Sequence, residues 1–481
     1  MENTGTKKIL LGLGWTTLST IVSGLTQILR LSILARFLVK EDFGVVAILT
    51  FILGLTQVFS DLGFPAAIMS ERELSKSKFL SLYWLQFMVF NVLMVLVSML
   101  SPLIAHGYGT ESLIYLVPLM LSELFFFSIG KLYDTVLQKN MQFKTMAIRN
   151  IFSAIFSLIL AVFLAYLGMG VFSLVLSTIS QAAIVNVWNL ISGQKTYKLQ
   201  FAKINIKEAS ELIKVGLYQM GTQLLDYVSS KLDILVIGGF LGNEALGVYN
   251  LAKELVLKFV MVINTISTKV MLSVFSASSN DMSVLASKFK SFLNKLSYLN
   301  TPIVGFVFLF SSWIVRLFYG AGYEDAIPIV GIMAIWSLFV VLGQPNGLIA
   351  IVTKRTDITF AYTIIRIVIM GVLLFAFART SLVAASTTML IGYIVMMFVN
   401  WGMLIKKTIK VSLFEYIFIF FKSWIGVLSS VALVLTVRYI MPDNDSFISN
   451  LIYAILYVTT IVVYIYTFDN SFVKGILQLR K

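Results

Sequence analysis

The first long apolar segment of the chain carries a regular stripe of polar residues. Five of them recur at alternating spacings of four and three residues, which places them on one helix face: Thr16, Thr20, Ser23, Gln27 and Arg30. A second stripe with the same spacing lies 203 residues further on: Gln219, Gln223, Asp226, Ser230 and Asp233. Because a polar face on an apolar helix needs a polar environment, both stripes are expected to face a central cavity.

The residues that follow each stripe also match one another. Phe37-Leu38, Glu41 and Gly44-Val45 align with Phe240-Leu241, Glu244 and Gly247-Val248 at the same offset of 203. Five identities within nine residues, in register with the stripes, indicate an internal repeat.

Apolar runs of about 20 residues, separated by short basic loops, continue from end to end, and about fourteen of them have the length of a membrane span. They lie at approximately 9–34, 44–64, 79–101, 113–135, 147–167, 171–192, 212–238, 246–275, 296–316, 327–350, 358–378, 381–405, 414–440 and 447–468. The predicted fold class is an all-α polytopic membrane protein, with two pseudo-symmetric six-helix lobes and two additional C-terminal helices.

The composition supports this class. Of the 481 residues, 58% are hydrophobic and 12% are charged, and the mean hydropathy is +0.91. These values are too apolar for a soluble protein of this size. The first apolar run is too long for a cleaved signal peptide, so we expect it to remain as the first span. The chain has no cysteine, which excludes disulfides, thiolate metal sites and thiol catalysis.

The net charge of +14 follows from the distribution of Lys and Arg. With a cytoplasmic N-terminus, about 24 of the 37 Lys and Arg fall in inner loops and tails and about 5 in outer loops. This bias predicts that both termini are cytoplasmic and that the number of spans is even. It also explains the basic charge without a nucleic-acid partner.

The stripes and loops predict four segments of chain. Residues 1–193 would form an N-terminal lobe of helices 1 to 6, followed by a cytoplasmic linker at 194–211. Residues 212–405 would form a second lobe of helices 7 to 12, and 406–481 two more helices and a cytoplasmic tail. Because six spans is an even number, the lobes should be related by an axis along the membrane normal. Three prolines within spans are candidate bends or simply tolerated: Pro118, Pro302 and Pro345.

Charged side chains within spans carry the functional hypothesis, since each costs at least about 2.5 to 3.5 kcal/mol in hydrocarbon. Eight are predicted to lie below the interface: Arg30, Glu123, Asp226, Lys231, Asp233, Glu254, Lys258 and Arg366. Four lie nearer the inner span ends and are expected to extend towards the interface: Lys131, Asp134, Lys269 and Lys422.

Spacing and depth suggest partners for some of these charges. Glu254 precedes Lys258 by four residues, the favourable order for a pair within one helix, so a structural ion pair and a substrate site both stay open. Arg30 is related to Asp233 by the repeat and should lie at similar depth. The two are placed to approach each other, either as a gate or as static packing.

The fixed positive charges of Arg30, Lys258 and Arg366 suit an anionic substrate such as a phosphate or pyrophosphate. The sequence shows no phosphate-binding glycine loop, zinc spacing or nucleophile elbow, so we expect neither an enzyme nor a cofactor. Energy, if needed, would come from a proton or sodium gradient.

Several motifs resemble one family. Leu34-Ala35-Arg36-Phe37-Leu38, Glu41-Asp42-Phe43-Gly44 and Asp61-Leu62-Gly63-Phe64 look like the opening of the polysaccharide transporters in the multidrug/oligosaccharidyl-lipid/polysaccharide exporter superfamily. Leu232-Asp233-Ile234-Leu235 and Leu246-Gly247-Val248-Tyr249-Asn250 resemble the same family's seventh-to-eighth helix signature. The chain departs from the family at Ser273, before Val274-Phe275-Ser276, where a proline is usual and would kink the helix.

The resemblance implies a flippase that moves an undecaprenyl-pyrophosphate-linked oligosaccharide from the inner to the outer leaflet of a bacterial cytoplasmic membrane by alternating access, for O-antigen, capsule or exopolysaccharide export. The cavity residues on this hypothesis are Ser23, Gln27, Arg30, Gln219, Gln223, Lys231, Lys258 and Arg366. Ion coupling or gating is assigned to Asp61, Glu123, Asp226 and Asp233. A functional monomer in contact with membrane lipid is expected, with a polysaccharide polymerase or glycosyltransferase as a candidate partner. The last two spans resemble an extra helix pair that helps hold a lipid tail in lipid-linked flippases.

Two other functions stay open. An ion-coupled exporter of small organic molecules, as in the multidrug and toxin extrusion branch, would need an acidic cavity, and Asp226 with Asp233 favour it. A membrane polymerase or glycosyltransferase acting on the same carrier would usually need a metal-binding acidic pair or a large outer loop, and neither is visible in the sequence.

Overall fold

The computed structural model describes residues 2–71, 73–201, 205–440 and 447–468, and the regular elements in these ranges are all helical. In chain order they are α1 Glu2–Leu34, α2 Lys40–Asp61, α3 Phe64–Ser70, α4 Lys76–Met99, α5 Ser101–Tyr108, α6 Leu113–Leu121, α7 Glu123–Lys139, α8 Phe143–Tyr166, α9 Val171–Gly193, α10 Ile206–Ser276, α11 Met282–Leu309, α12 Ser311–Tyr319, α13 Ala326–Val352, α14 Thr356–Phe377, α15 Leu382–Asn400, a π-helical turn Trp401–Ile405, α16 Lys406–Ile409, α17 Leu413–Ile440 and α18 Phe447–Phe468.

The chain forms two compact units, Met1–Asn250 and Leu251–Lys481. In the first unit, α1 packs on α8, α9 packs on both α7 and α8, and α2 packs on α4. In the second, α11 packs between α13 and α17, α13 also contacts α15, and α18 packs on α17. The four segments were predicted from the internal repeat, whereas these two units are defined by how compactly the chain packs. The predicted division into four segments therefore stays a prediction.

Many of the helices are long and apolar enough to cross a membrane. Within the described residues, eleven helical segments meet this requirement, or twelve if α11 and α12 form one bent span. The predicted count of fourteen is not confirmed. The difference includes α10, which covers the seventh and eighth predicted spans and is not among the eleven. The chain is nevertheless an all-α polytopic membrane protein.

A single glycine divides α10 into two arms. Gly242 has φ 83° and ψ 176°, a backbone conformation outside the helical region. It lies 203 residues after Val39, the residue that precedes α2, so both copies of the repeat break their helix at the same position. The second arm stays helical through Ser273, where the proline of the resembled family is missing.

The three intramembrane prolines behave differently. Four residues after Pro118, the helix is interrupted at Ser122, between α6 and α7. Pro302 and Pro345 lie inside the continuous helices α11 and α13, so neither proline interrupts its helix. The sharpest bend instead lies at Phe310, where α11 and α12 meet at 76°.

The inner end of α2 is a tight turn. Leu62 and Gly63 are consecutive left-handed residues, with φ 48° and 64°. Glycine is required at the second position, since a Cβ atom there would overlap the carbonyl oxygen of Gly216 in α10. The side-chain amide of Gln86 donates to the Asp61 carbonyl at 3.2 Å and holds the turn against α4. The Asp61-Leu62-Gly63-Phe64 motif therefore has a structural role.

The first part of the predicted linker is docked on the first unit. The ring of Tyr197 stacks on Phe79 at 4.6 Å between centroids, and its hydroxyl donates to the Leu74 carbonyl at 2.8 Å. Trp84 donates its indole N–H to the Gln200 carbonyl at 2.9 Å. The linker residues 202–204 lie outside the described residues, as does the predicted tail at 469–481.

Candidate functional site

The polar stripe of α1 does not lie on the exposed face of its helix. That face is apolar and includes Leu18, Leu25 and Leu29, each about half exposed. The stripe residues from Thr16 to Arg30 are partly buried instead. This is the distribution expected for a helix with one face towards lipid and its polar face towards the protein interior.

Arg30 lies in a small polar pocket formed by α1, α8 and α9. Its Nη1 atom donates to the Ser157 hydroxyl at 3.2 Å, and Ser157 in turn donates to the Ser177 carbonyl at 2.8 Å. Thr26, Gln27 and Gln181 line the same pocket. Two amides, two hydroxyls and a guanidinium therefore converge here, and the space that they enclose is only about 10 Å³, so these polar groups are packed against one another.

The buried carboxylate of Glu123 lies at the break between α6 and α7, where the positive charge of Arg30 acts on it. Glu123 is the first residue of α7 and is 6% exposed. Its Oε2 atom has no hydrogen-bond partner within the described part of the chain. The positive charge of Arg30 acts on it electrostatically. A carboxylate in this situation can take up a proton or a cation when its surroundings change.

The stripe of α10 changes its environment along its length. Gln219, Asp226 and Ser230 are exposed and Gln223 is partly buried, whereas Asp233 is 1% exposed. The Tyr249 hydroxyl donates to Asp233 Oδ2 at 2.6 Å. Lys231 is partly buried, and its position five residues after Asp226 turns it away from the stripe.

The predicted approach of Arg30 to Asp233 is not tested by these contacts. The bonds identified for the two residues go to Ser157 and to Tyr249, and both residues have further interactions. Their pairing as a gate or a latch stays a prediction.

Two ion pairs that the sequence analysis did not predict lie at the predicted inner end of the first unit. Lys131 lies 3.5 Å from Asp61, and Asp134 lies 2.8 Å from Arg149. Lys131 and Asp134 were expected to extend towards the interface, which stays a prediction, and each also has a partner of opposite charge. Asp61, predicted to couple or gate, is one of these partners.

Arg149 is a functional candidate that the sequence analysis missed. It is 3% exposed, and it also donates to the Asn189 side chain. The sequence offered little indication of this role, because Arg149 lies at the start of a predicted span, where a basic residue normally reaches the interface. Of the other two residues expected to extend towards the interface, Lys422 lies 5.8 Å from the Tyr298 ring centroid, and the side chain of Lys269 lies outside the described residues.

The second unit confirms one predicted pair. Lys258 Nζ lies 3.4 Å from Glu254 Oε2, so the spacing of four residues does form an ion pair. The neighbouring Lys253, which the sequence analysis missed, is 6% exposed and lies 5.4 Å from the centroid of the Trp336 ring. Arg366 lies 5.9 Å from the Tyr362 ring centroid. Such cation–π contacts stabilise positive charge away from water.

An apolar cavity of about 500 Å³ lies between α2, α4, α5 and the first arm of α10. Its walls include Phe51, Phe59, Val97 and Leu235. Within the described ranges no group of three or more His, Asp or Glu residues is arranged to hold a metal ion.

The fold defines the class of protein. It is similar to a solved structure of the lipid II flippase MurJ in an inward closed conformation, with a TM-score of 0.74 at 16% identity, covering 96% of this chain and 100% of that chain. The protein therefore has the fold of that class of polytopic membrane transporter.

The family follows from the sequence. Residues 33–328, more than half of the chain, match the family described as polysaccharide biosynthesis protein, and the chain belongs to that family. It is 28% identical over 420 residues to the teichuronic acid biosynthesis protein TuaB of Bacillus subtilis, covering 85% of each chain. It is 22% identical over 362 residues to the lipopolysaccharide biosynthesis protein WzxC of Escherichia coli, covering 75% of this chain and 73% of WzxC. The resemblance predicted from the motifs is confirmed.

Proposed function

We propose that the protein is a flippase that moves undecaprenyl-pyrophosphate-linked oligosaccharide units from the cytoplasmic to the outer leaflet of a bacterial inner membrane. Its family, and relatives named for teichuronic acid and lipopolysaccharide biosynthesis, support a role in exporting an envelope glycan. On this proposal it transports and does not catalyse a reaction. Both termini are cytoplasmic, it works as a monomer, and a polymerase or glycosyltransferase uses or supplies its cargo.

The observation that carries the proposal is the cluster of polar side chains around Arg30. A guanidinium within an apolar helix is costly unless polar groups surround it, and here amides and hydroxyls do so. Arginine binds pyrophosphate oxygens in a bidentate manner, and the amides suit sugar hydroxyls. Lys231, Lys258 and Arg366 are proposed to add positive charge along the path of the cargo.

The acidic residues are proposed to couple transport to an ion gradient. Glu123 is the strongest candidate because it is buried, feels the charge of Arg30 and has an unpaired oxygen. Asp226 and Asp233 follow, one exposed and one buried on the same helix face. Asp61 is the weakest candidate, since Lys131 already neutralises it.

The decisive experiment is export of surface glycan in cells that depend on this protein. Arg30→Ala and Arg366→Ala should each abolish or strongly reduce export while the protein stays in the membrane. Arg355→Ala is the matched control, since Arg355 is about half exposed and pairs with its near neighbour Asp357, and it should export normally. Normal export by both Arg30→Ala and Arg366→Ala would refute the assigned residues. Identification of a lipid-linked glycan that copurifies with the protein would test the cargo directly.

A second candidate function is export of small organic cations, which the exposed Asp226 favours. This function predicts that dye efflux depends on the acidic stripe. Efflux that falls on Asp226→Asn or Asp233→Asn, in cells whose glycan export is unchanged, would favour it over the flippase.

A further inference from the structure

The apolar cavity of the first unit has walls from four helical elements. On the longer helices the lining residues recur at helical spacing, so one face of each helix forms a wall. The wall from α4 and α5 has positions separated by four, three and four residues: Leu93, Val97, Leu100 and Ile104. The wall from α2 extends from Phe51 to Phe59, and the first arm of α10 adds Leu235 and Gly239. We call this space the α2–α4 cavity.

The walls of the α2–α4 cavity are apolar almost throughout. The polar residues among those that line it are Thr56 and Tyr108. The Thr56 hydroxyl donates to the Ile52 carbonyl at 2.8 Å, so its hydrogen bond is made within α2. The Tyr108 ring packs against Gly238, where a Cβ atom would lie 3.1 Å from it. Ordered water needs several polar partners, and these walls do not supply them.

Close contacts hold the walls of the cavity in place. The Tyr227 ring of α10 stacks on Phe51 at 5.9 Å between centroids, and its hydroxyl donates to the Phe51 carbonyl at 3.0 Å. The Asn243 amide donates to Thr110, just after α5, at 2.5 Å. The cavity is therefore a fixed part of the packing of the first unit. Because an empty apolar space lowers stability in proportion to its volume, a space of about 500 Å³ is expected to hold an occupant.

The α2–α4 cavity is continuous with the surface that this membrane protein presents to hydrocarbon. Leu100 lines the cavity and is 51% exposed. Neighbouring residues on α4 and α5 that do not line the cavity are also apolar and exposed: Val92, Val95, Leu96, Met99 and Leu103. An exposed apolar surface of this extent marks contact with a membrane. A hydrocarbon chain can therefore pass from the bilayer into the cavity without crossing a polar boundary.

The internal repeat shows that the α2 wall is apolar for a local reason. At the offset of 203 residues, Phe51 and Leu55 of the first copy correspond to Glu254 and Lys258 of the second. Those two residues form an ion pair at 3.4 Å, so the equivalent helix face carries charge in the second copy. An anion or a sugar would find polar partners on that face, whereas the α2–α4 cavity offers a surface for hydrocarbon.

We propose that the α2–α4 cavity binds one acyl chain of a membrane phospholipid. Its volume lies within the range of about 300 to 1,000 Å³ that is typical of small-molecule sites, and it is too small for the much longer undecaprenyl chain. Gly239 leaves room at the α10 wall, because a Cβ atom there meets nothing within 4 Å. α5 lies on the side that the loop charges predict to be outer, so the lipid belongs to the outer leaflet. The bound chain completes the packing of α2, α4 and α10, and its site does not depend on the proposed transport function.

The first test identifies the occupant in the intact protein. A small diazirine analogue of leucine replaces either Leu93, which lines the cavity, or Leu96, which is 52% exposed on the same helix. The protein is extracted into detergent, washed free of bulk lipid and irradiated, and its adducts are weighed by mass spectrometry. Because a chain held in the cavity dissociates slowly, position 93 should give about tenfold more phospholipid adduct than position 96. No excess of phospholipid at position 93, or an undecaprenyl-linked glycan there, would overturn the proposal.

The second test fills the cavity from two of its walls. Val97→Trp places an indole in the cavity, whereas its matched control Val95→Trp places the same group on the exposed face of α4. Gly239→Leu fills the cavity from α10, and Gly221→Leu is its control, because a Cβ atom at either glycine meets no neighbour.

The measurement is native mass spectrometry of the washed proteins, with the thermal midpoint as a check that each variant folds. The unsubstituted protein and both controls should retain one phospholipid per chain, and each filling variant should retain about tenfold less. Unchanged retention in a filling variant that folds, or equal loss in its control, would contradict the assigned site.

Discussion

The two copies of the repeated segment reach the same break in different ways. In the first copy, α1 ends at Leu34, and Val39 precedes α2 with φ −81° and ψ 157°, an ordinary extended conformation. In the second copy, the helix continues to the break, and Gly242 alone turns the chain, with φ 83° and ψ 176°. The residue that precedes the next helix is therefore equivalent in the two copies, whereas its backbone conformation is not.

The copies differ in charge as well. Arg30 of the first stripe donates to a serine, whereas Asp233, at the equivalent position of the second, accepts from a tyrosine. The same helix face thus presents a cation in one copy and an acid in the other. Symmetry fixes where the polar positions lie, and the individual side chains then give the two sides different chemistry.

The largest expected effect comes from the difference between the two breaks. Gly242→Val places a β-branched residue in a conformation that is essentially restricted to glycine, so it should cost about 2 to 3 kcal/mol of unfolding free energy. Space is not the reason, because a Cβ atom at Gly242 would meet no neighbour. The measurement is the thermal unfolding midpoint of the purified protein in detergent, which should fall by several degrees.

Val39→Gly is the matched control for this comparison. Since Val39 already has an extended conformation, its replacement should cost no more than about 1 kcal/mol, mainly through chain entropy. Equal losses of unfolding free energy in Val39→Gly and Gly242→Val would show that the backbone conformations at these positions do not distinguish the two copies.

Local features of the fold could be predicted from the sequence. The sixth predicted span, 171–192, agrees to within one residue with α9, because its apolar run lies between Gly170 and Gly193. The Glu254–Lys258 pair followed from helix periodicity, and the equivalence of Gly44 and Gly247 followed from the offset of 203 residues. Each of these depends on residues close together in the chain, or on a repeat that the chain displays directly.

Features that depend on distant neighbours could not be predicted. The ion pair between Asp61 and Lys131 joins residues on α2 and α7, and the sequence shows the two charges without their pairing. The bend at Phe310 follows no proline, whereas Pro302 bends nothing sharply. Gly44 and Gly247 were visible as two glycines in register, but only the backbone shows that Gly44 lies against Asn243 and Gly247 against Lys40.

An intermediate effect is expected at the acidic end of the second stripe. Asp233→Asn keeps an acceptor for Tyr249 but removes the charge that strengthens a buried bond of 2.6 Å, so it should cost about 1 to 2 kcal/mol. Asp226→Asn, on the same face but exposed, should change stability by less than about 0.5 kcal/mol. Thermal midpoints of the two variants test this difference. A larger fall in the thermal midpoint for Asp226→Asn than for Asp233→Asn would mean that burial does not determine which of the two acids stabilises the fold.

The smallest expected effect concerns the charges at the two helix starts after the breaks. Glu244 pairs with Lys40 at 4.0 Å and is largely exposed, so Glu244→Gln should cost less than about 1 kcal/mol, and the loss should disappear in high salt. Its equivalent, Glu41, lies in the first turn of α2, where a negative charge near the helix N-terminus is favourable by about 0.3 to 1 kcal/mol. Thermal midpoints at low and high salt should therefore be similar for Glu41→Gln and Glu244→Gln. A loss of stability at position 244 that persists in high salt would instead indicate that the Lys40–Glu244 pair is stronger than its length and exposure indicate.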